Sequence, residues 1–515
     1  MSLTNYIIGK NVLDNLTLSM YKDSRIIYRE YIQNSADAID DAINLGIVSE
    51  KEAAIVINLD QNKRMITIED NATGIPKDKA VTLLCNIADS EKEQGIKKGF
   101  RGIGRLGGLA YSKTLIFETS YKDEDVKTII TWDAELLQQI LNDNGNHEEA
   151  LQVLNKIVTI NYEPVNKESH FFKVVLKDIN RSNSELLNRN EICEYLEQIA
   201  PVEYKRSKFI LQDKILEKVK EKGYKLDTYN IYFENQKLSK VYQCTLKNLN
   251  NEKYDEIVDL EFNEFYNDRN ELLAWSWIGI STFDGRIPIK TNLQHNIRLK
   301  KHNIQIGDAT TLDFLHKDPH LGNQYFIGEV QAVHKDLKPN GRRDYFVENE
   351  TLKEFENKLR EYFTNIYSYY RVASETRSTS NTQQKYIEKQ EEIKQQTENG
   401  FISNKSKEKA YKELEIRREK AVKAQKDLEK IKNKASQNPT LNKIVQLIQK
   451  TNVKKITIPE QIKEPAKVKK YRTDNLTKLN RNERKLLGEI YEIINTVLDP
   501  DTANNLINKI EENYK

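Results

Sequence analysis

Between Arg29 and Ala42 the sequence runs REYIQNSADAIDDA. Read as a helix opened by an Asp23/Ser24 cap, it sets Glu30, Asn34, Asp37 and Asp41 at spacings of four, three and four, a polar stripe along one face. Ile26, Ile27, Tyr31, Ile32, Ala36, Ile39 and Ile43 take most of the remaining surface. A wholly solvated helix would not carry that much apolar residue, so the stripe is expected to look into a wet pocket between packed flanks. A carboxylate and a carboxamide one turn apart suit metal-dependent hydrolysis. Asn34 can ligate Mg²⁺ through its carbonyl oxygen, and Glu30 can take a proton from an attacking water. Taken alone, the same residues also suit a capped surface helix whose acids are incidental.

The chain has 515 residues, enough for three or four domains and more than one core. No apolar run approaches membrane-spanning length, 31% of residues are charged, and no leading basic and apolar segment is present, so the expectation is a cytoplasmic protein. Cys85, Cys193 and Cys244 are isolated thiols, which fits a reducing compartment and argues against a disulfide or a zinc site. Net charge is +3, but residues 385–472 hold 24 Lys or Arg against 12 Asp or Glu, an excess of +12 that leaves −9 for the rest. Such a segment could meet nucleic acid or an acidic partner, and equally suits a solvated helical hairpin with a lysine-rich linker.

Ala54 to Leu59 and Met65 to Glu69 read as a hairpin, and the second strand runs into Asp70-Asn71-Ala72-Thr73-Gly74-Ile75-Pro76. A carboxylate held there by a turn can accept a hydrogen bond from an exocyclic amine, which would select adenine; the same residues also suit an ordinary Asp-Asn turn. Lys98 to Leu109 (KGFRGIGRLGGL) then places five glycines within ten residues. Successive exposed N–H groups can approach a polyphosphate, particularly where a helix starts at the end of the loop, and can form a mobile lid. The ending and spacing are not those of a P-loop or a Rossmann turn.

Together these stretches resemble the motifs of the GHKL ATPases, the group of DNA gyrase B subunits, ninety-kilodalton heat-shock chaperones, sensor histidine kinases and MutL proteins. Glu30-x-x-x-Asn34 with Asp37 is similar to the first motif, Asp70-x-x-x-Gly74 to the second, and Gly99-x-x-Gly102-x-Gly104 to the lid. Ile87 to Lys92, with Ser90 and Lys92, is similar to a chaperone segment near the nucleotide. The resemblance implies a two-layer α/β sandwich holding Mg²⁺ and ATP under the lid. It assigns Glu30 as general base, Asn34 as Mg²⁺ ligand, and Asp70 as adenine reader. Asp37, Gly74, Ser90, Lys92, Gly99, Arg101, Gly102, Ile103 and Gly104 are the further nucleotide contacts it implies. Two departures are visible: Ala72 stands where glycine is usual, and Ser169-His170 stands where Gly-Thr is common, so no adenine contact is assigned to the strand His170 to Leu176.

Asn188 to Ala200 reads as an amphipathic helix, and Trp275 to Ser281, Ile297 to Asp308 and Tyr325 to Val333 read as strands. They precede Asp336 to Asp344 (DLKPNGRRD), similar to the chaperone middle-domain loop in which Asn is followed by Arg and an acid. On that resemblance Arg343 reaches the γ-phosphate, with Arg342, Lys300 or Lys301 as substitutes; an ion pair with Asp344 is the alternative. His302, His316 and His320 lack a recognised metal-ligand spacing and read as structural. Ser374 to Gln383 reads as a polar linker, followed by helices at about Gln384 to Thr397 and Lys405 to Lys434 with a break at Glu398-Asn399-Gly400.

The expected organisation is an α/β (α+β) protein: a GHKL ATP-binding domain at 1–182 and a middle (transducer) domain at 183–372. A basic helical hairpin at 373–450, a linker at 451–473 and a helical pair at 474–515 follow. That pair carries two apolar stripes too large for some forty residues to bury, so it is expected to dock on a second copy, on another protein or back on its own chain. The expected activity is that of a Mg²⁺-dependent ATPase, a homodimeric ATP-driven clamp with a protein client and a place in a bacterial multi-protein system such as phage defence. The alternatives are a DNA-clamping ATPase of the MutL or MORC kind and a nucleotide-sensing scaffold with negligible turnover.

Overall fold

The computed structural model describes residues 8–17, 23–87, 104–143, 145, 147–451 and 471–515. They divide into a first unit, residues 1–281 with 285–367, and a second, 282–284 with 368–515.

In the first unit, helices α1 (Asn11–Thr17) and α2 (Ile26–Asn44) precede strands β1 (Ala54–Asp60) and β2 (Met65–Asp70) and helix α3 (Lys77–Cys85). Then come β3 (Ser112–Ser120), β4 (Val126–Asp133), α4 (Ala134–Asn142), α5 (Ala150–Ile157), β5 (Val158–Pro164) and β6 (Phe171–Ile179). Helices α6 (Arg189–Ile199) and α7 (Gln212–Lys222) lead to the short strands β7 (Asn230–Phe233) and β8 (Gln236–Lys237). These strands make one eight-stranded sheet in the order β5-β4-β3-β6-β2-β1-β7-β8. Strand β1 pairs in parallel with β7, Ala54 against Asn230, so residues expected in the middle domain extend the first sheet.

Alternation explains the layers. In β1 the inward Ile55, Ile57 and Leu59 are buried, and in β2 Ile66, Ile68 and Asp70 share the buried register. Helix α2 lays Ile27, Tyr31, Ile32, Ala36 and Ile39 into the same core, each large apolar side chain contributing roughly 1.5–3 kcal/mol. The helix start differs from the expectation. Arg25 is the N-cap and makes no side-chain cap; Asp23 instead accepts from the Arg25 backbone and guanidinium, and Ser24 Oγ donates to Glu185.

Beyond the first sheet, β9 (Thr245–Lys247) pairs with β10 (Lys253–Glu256). Strands β11 (Asp259–Tyr266), β12 (Leu272–Ile280), β13 (Asn296–Lys301), β14 (Ile304–Gln305) and β15 (Ile327–Ala332) form a second sheet in the order β11-β12-β15-β13-β14. All six residues of β13 are buried, including Arg298, Lys300 and Lys301. Lys240 pairs with Glu329 at 2.6 Å in this core, and Tyr204 Oη donates to Glu329 at 2.8 Å, so the carboxylate is compensated twice.

Helix α8 (Glu350–Asn399) contributes residues 350–367 to the first unit and the rest to the second, where α9 (Asn404–Ala435), α10 (Pro439–Thr451), α11 (Arg481–Val497) and α12 (Pro500–Tyr514) follow. One expectation changes here. Ser374 to Gln383 is helical, inside the fifty residues of α8, and its hydroxyls bond back along the helix without breaking it: Thr376 Oγ1 to Val372 O at 2.7 Å and Thr379 Oγ1 to Thr376 O at 2.8 Å. The break falls at Gly400, with φ of 89°, before an α9 capped by Ser403. Residues 452–470 of the expected linker lie outside the described residues.

Candidate active site

Helix α2 presents the polar stripe, but not to a wet pocket along its length. Glu30 and Asp37 are buried, while Asn34 and Asp41 are half-buried. The groups facing Glu30 arrive from far along the chain. Arg343 Nε lies 2.7 Å from Glu30 Oε1, both side chains under a tenth exposed, although the N–H is not aligned for a hydrogen bond to that oxygen. The alternative pairing of Arg343 with Asp344 is not what forms: Asp344 Oδ1 accepts from Asn340 Nδ2 at 2.6 Å.

The loop that carries Arg343 is held by the residue before the candidate base. Arg29, 2% exposed, donates to the carbonyls of Gln305 and Arg343 at 3.4 Å and of Arg342 at 3.3 Å. Arg343 itself takes φ of 55°, a left-handed conformation disfavoured for a residue with a Cβ, so the surrounding contacts fix the backbone there. Lys300 and Lys301, the substitutes expected for Arg343, are engaged elsewhere: Lys300 Nζ donates to Gln198 O at 2.6 Å and Lys301 Nζ to His334 O at 2.8 Å. Burial lowers Lys301 to about 8 and holds Lys300 well below the usual lysine range. Arg342 is exposed.

The glycine-rich stretch enters the described residues at Gly104, the first residue of a 3-10 helix, Gly104–Ala110. Gly104 lies so close to Glu30 that a Cβ there would overlap Glu30 Oε2. Tyr31 Oη donates to Arg105 O and accepts from Gly108 N, each at 3.1 Å, pinning the turn to α2. Burial pushes the Tyr31 phenol up, which keeps it a neutral donor. Ser90, Lys92, Gly99, Arg101, Gly102 and Ile103 lie outside the described residues.

Asp70 ends β2 at 1% exposure, with Oδ1 accepting from Ala72 N at 3.2 Å. Gly74 has φ of 64° and packs so tightly on the Ser120 carbonyl that a side chain would overlap it. His170 Nδ1 lies 2.7 Å from Ala72 O. This residue, which sequence reasoning left without a role, ties down the turn after Asp70, and Phe172 stands opposite Asp70 in the sheet. Of the three histidines read as structural, His316 stacks on Phe363 with centroids 4.1 Å apart, and His302 Nδ1 lies 3.5 Å from Asp227.

A buried carboxylate at a strand end, a second on a helix beside a glycine turn, and a guanidinium aimed at the latter suit recognition of a nucleotide and transfer of its terminal phosphoryl group. Residues 24–170 match the family described as "Histidine kinase-, DNA gyrase B-, and HSP90-like ATPase". This segment is a domain of that ATPase family. The match takes in Glu30, Asn34, Asp70, Gly74 and Gly104 of the GHKL-type domain, and its mixed sheet and helical layer fit the expected sandwich.

The chain is also similar to chaperone protein HtpG of Wigglesworthia glossinidia brevipalpis, 29% identical over 293 residues, covering 52% of this chain and 41% of the relative. HtpG of Alkaliphilus metalliredigens is 29% identical over 180 residues, 33% of this chain and 26% of the relative. HtpG of Campylobacter jejuni is 28% identical over 152 residues, 26% and 25%. The chain thus spans between a quarter and 41% of the length of these relatives. Among the described residues, no helix is long and apolar enough to cross a membrane.

Whether these residues fit Mg²⁺ can be tested on the donor set. Among the described residues there is no group of three or more His, Cys, Asp or Glu that could hold a metal. Mg²⁺ bound with a nucleotide asks for less: hard oxygen donors, several from phosphate and water. Asn34 supplies one such oxygen, half-buried on the same helix as Glu30, and the site fits on that ground.

Proposed function

We propose that this chain is a Mg²⁺-dependent ATPase that works as an ATP-driven conformational clamp of two copies, chaperone-like in its partners. The observation that carries the reading is the approach of Arg343 to Glu30. One residue of the helix that would hold the nucleotide is already matched to a cation on a loop more than three hundred residues away. A terminal phosphate, offering several anionic oxygens, competes for that guanidinium on favourable terms. ATP would draw Arg343 from Glu30 to the γ-phosphate, leaving the carboxylate to orient a water and take its proton. Asn34 would hold Mg²⁺, which supplies charge neutralisation at the phosphates. Asp70 would accept the exocyclic amine of adenine.

In this reading residues 1–182 bind ATP, and residues 183–372 sense it through the Arg29-anchored loop. Residues 373–450 and 474–515 carry the response. Because Gly104 abuts Glu30, movement of the glycine-rich segment and movement of the base are mechanically linked. Resemblance to the wider family extends the proposal to a protein client and to a multi-protein bacterial defence system. A second reading, a DNA-clamping ATPase, draws on the excess of +12 in residues 385–472 and predicts DNA binding that weakens steeply with salt.

The test is titration calorimetry with Mg-ATP and Mg-GTP on the wild type, Asp70→Asn and Glu30→Ala. The proposal expects the wild type to prefer ATP, Asp70→Asn to lose about tenfold or more in ATP affinity, and Glu30→Ala to bind ATP as the wild type does. Equal affinity for both nucleotides, or no effect of Asp70→Asn, would overturn the adenine-reading role and with it the site.

A further inference from the structure

Helix α9, NKSKEKAYKELEIRREKAVKAQKDLEKIKNKA, has an apolar side and a basic side. Ala410, Leu414 and Ala421 share a core with Tyr386 and Ile393 of α8, and Ala424 and Leu428 continue the buried side. On the opposite side a row of exposed lysines begins with Lys405, Lys409 and Lys412. After Ile416 it resumes with Lys420, Lys423, Lys426, Lys430 and Lys434, all exposed. Steps of three and four residues hold the row within about a third of the helix circumference, and at about 1.5 Å per residue it runs about 44 Å.

The row is not neutralised. Glu413 is held by Arg417 at 2.8 Å and Lys389 at 3.1 Å, and Glu415 by Arg418 at 2.6 Å, all outside the row. Lys430 lies 3.1 Å from Asp427. Among the described residues the other lysines of the row have no carboxylate within ion-pair distance. Glu408, Glu419 and Asp427 fall in the same arc, so eight cations face three acids, an excess of five. Like charges three or four residues apart weaken a helix, so nothing in the stability of α9 itself calls for this arrangement.

The partner that fits is a duplex. It carries one phosphate charge per about 1.7 Å of axis, and its persistence length of about 50 nm keeps it straight along the whole row. A single strand is held by stacking on aromatic side chains, and the row has none. A helix on a lipid surface inserts its apolar side, and that side of α9 is packed within its own unit. Lysine meets phosphate as a point charge, and the row holds no Arg, Asn or Gln to read base edges.

We infer that the lysine row of α9 binds duplex DNA along its backbone, without regard to sequence. Helix α9 lies outside residues 24–170, which match the ATPase family, so the surface belongs to this chain's helical region. It deepens the DNA-clamping reading above and rests on that reading.

The experiment follows a fluorescently labelled duplex, longer than the row, by anisotropy as salt is raised. The row variant carries Lys412→Gln, Lys420→Gln, Lys423→Gln and Lys426→Gln. A control of equal charge carries Lys63→Gln, Lys167→Gln, Lys214→Gln and Lys253→Gln, at exposed positions of the first unit. Wild type and control are expected to bind alike, and to bind two unrelated duplex sequences equally. The row variant is expected to bind about tenfold or more weaker, with the slope of log affinity against log salt shallower by about 2 or more. Glutamine keeps helix propensity and removes like-charge neighbours, so circular dichroism should be unchanged and the melting temperature no lower. A row variant that binds as the control does overturns the row and leaves the DNA reading standing. A wild type that binds no duplex at low salt overturns both. Tighter binding to an RNA duplex, to polyglutamate or to anionic vesicles than to DNA overturns DNA as the partner.

Discussion

Replacing Arg343 with alanine removes the guanidinium that faces the Glu30 carboxylate, which is 4% exposed. At the observed 2.7 Å separation, unit charges in an effective dielectric of about 20 attract by about 6 kcal/mol, and the desolvation of both groups cancels a large part of that. Removing one partner of a buried pair costs about 3–5 kcal/mol. Because the N–H is not aligned with Glu30 Oε1, the low end, about 3 kcal/mol, is expected. Arg343 adopts φ of 55°, so alanine, which keeps the same backbone penalty, isolates the guanidinium, whereas glycine would mix in a gain from relieved strain. Urea unfolding followed by tryptophan fluorescence reports on both sheets, through Trp132 in one and Trp275 and Trp277 in the other. A cycle with Glu30→Gln should return a coupling of about 2 kcal/mol. A coupling below about 0.5 kcal/mol would refute the argument that this ion pair holds the loop over the site.

Three further perturbations follow from the same geometry. Gly104→Ala should push the Glu30 carboxylate aside and lower ATP turnover by about tenfold or more while ATP affinity changes little, read from steady-state kinetics beside calorimetry. Gly74→Ala combines a left-handed φ of 64° with overlap on the Ser120 carbonyl, and should cost about 3 kcal/mol or more, seen as a lowered melting temperature or loss of soluble protein. His295 and His316 are buried and held down to about 4 by desolvation. The unfolded chain therefore binds more protons between pH 4 and 6.5, so stability is full above 6.5 and falls as pH drops towards 4. Taking the wild type from pH 7 to pH 5 should cost about 2 kcal/mol per histidine, and His316→Phe should flatten the melting-temperature profile in that window.

Local pattern carried much of the first domain. The four-three-four spacing on α2 and the alternation of β1 and β2 are written in consecutive residues, so helix, hairpin and the place of Asp70 follow from period alone. What period could not carry is the partnership between distant residues. Arg29 looks like any helix arginine until carbonyls from residues 305, 342 and 343 close on it, and Tyr31 looks like core until its hydroxyl receives Gly108 N. His170 was visible as a departure from the family pattern, which marked the position without saying what it touches. The charged run of β13 read as strand but not as a fully buried one, because the groups that compensate Arg298 and Lys300, Gln198 and Glu329, come from other elements. Ser374 to Gln383 misled for the opposite reason: a polar helix shows no apolar period to read.

The central claim, that Glu30 acts on ATP which Arg343 helps to bind, is tested most directly by ATP hydrolysis at saturating Mg-ATP in the wild type, Glu30→Ala and Arg343→Ala. The account predicts slow turnover in the wild type, its loss in Glu30→Ala with ATP binding retained, and a fall of about tenfold or more in Arg343→Ala. Turnover that is equal and at background in all three proteins, with ATP still bound, would contradict it and leave a nucleotide-sensing scaffold.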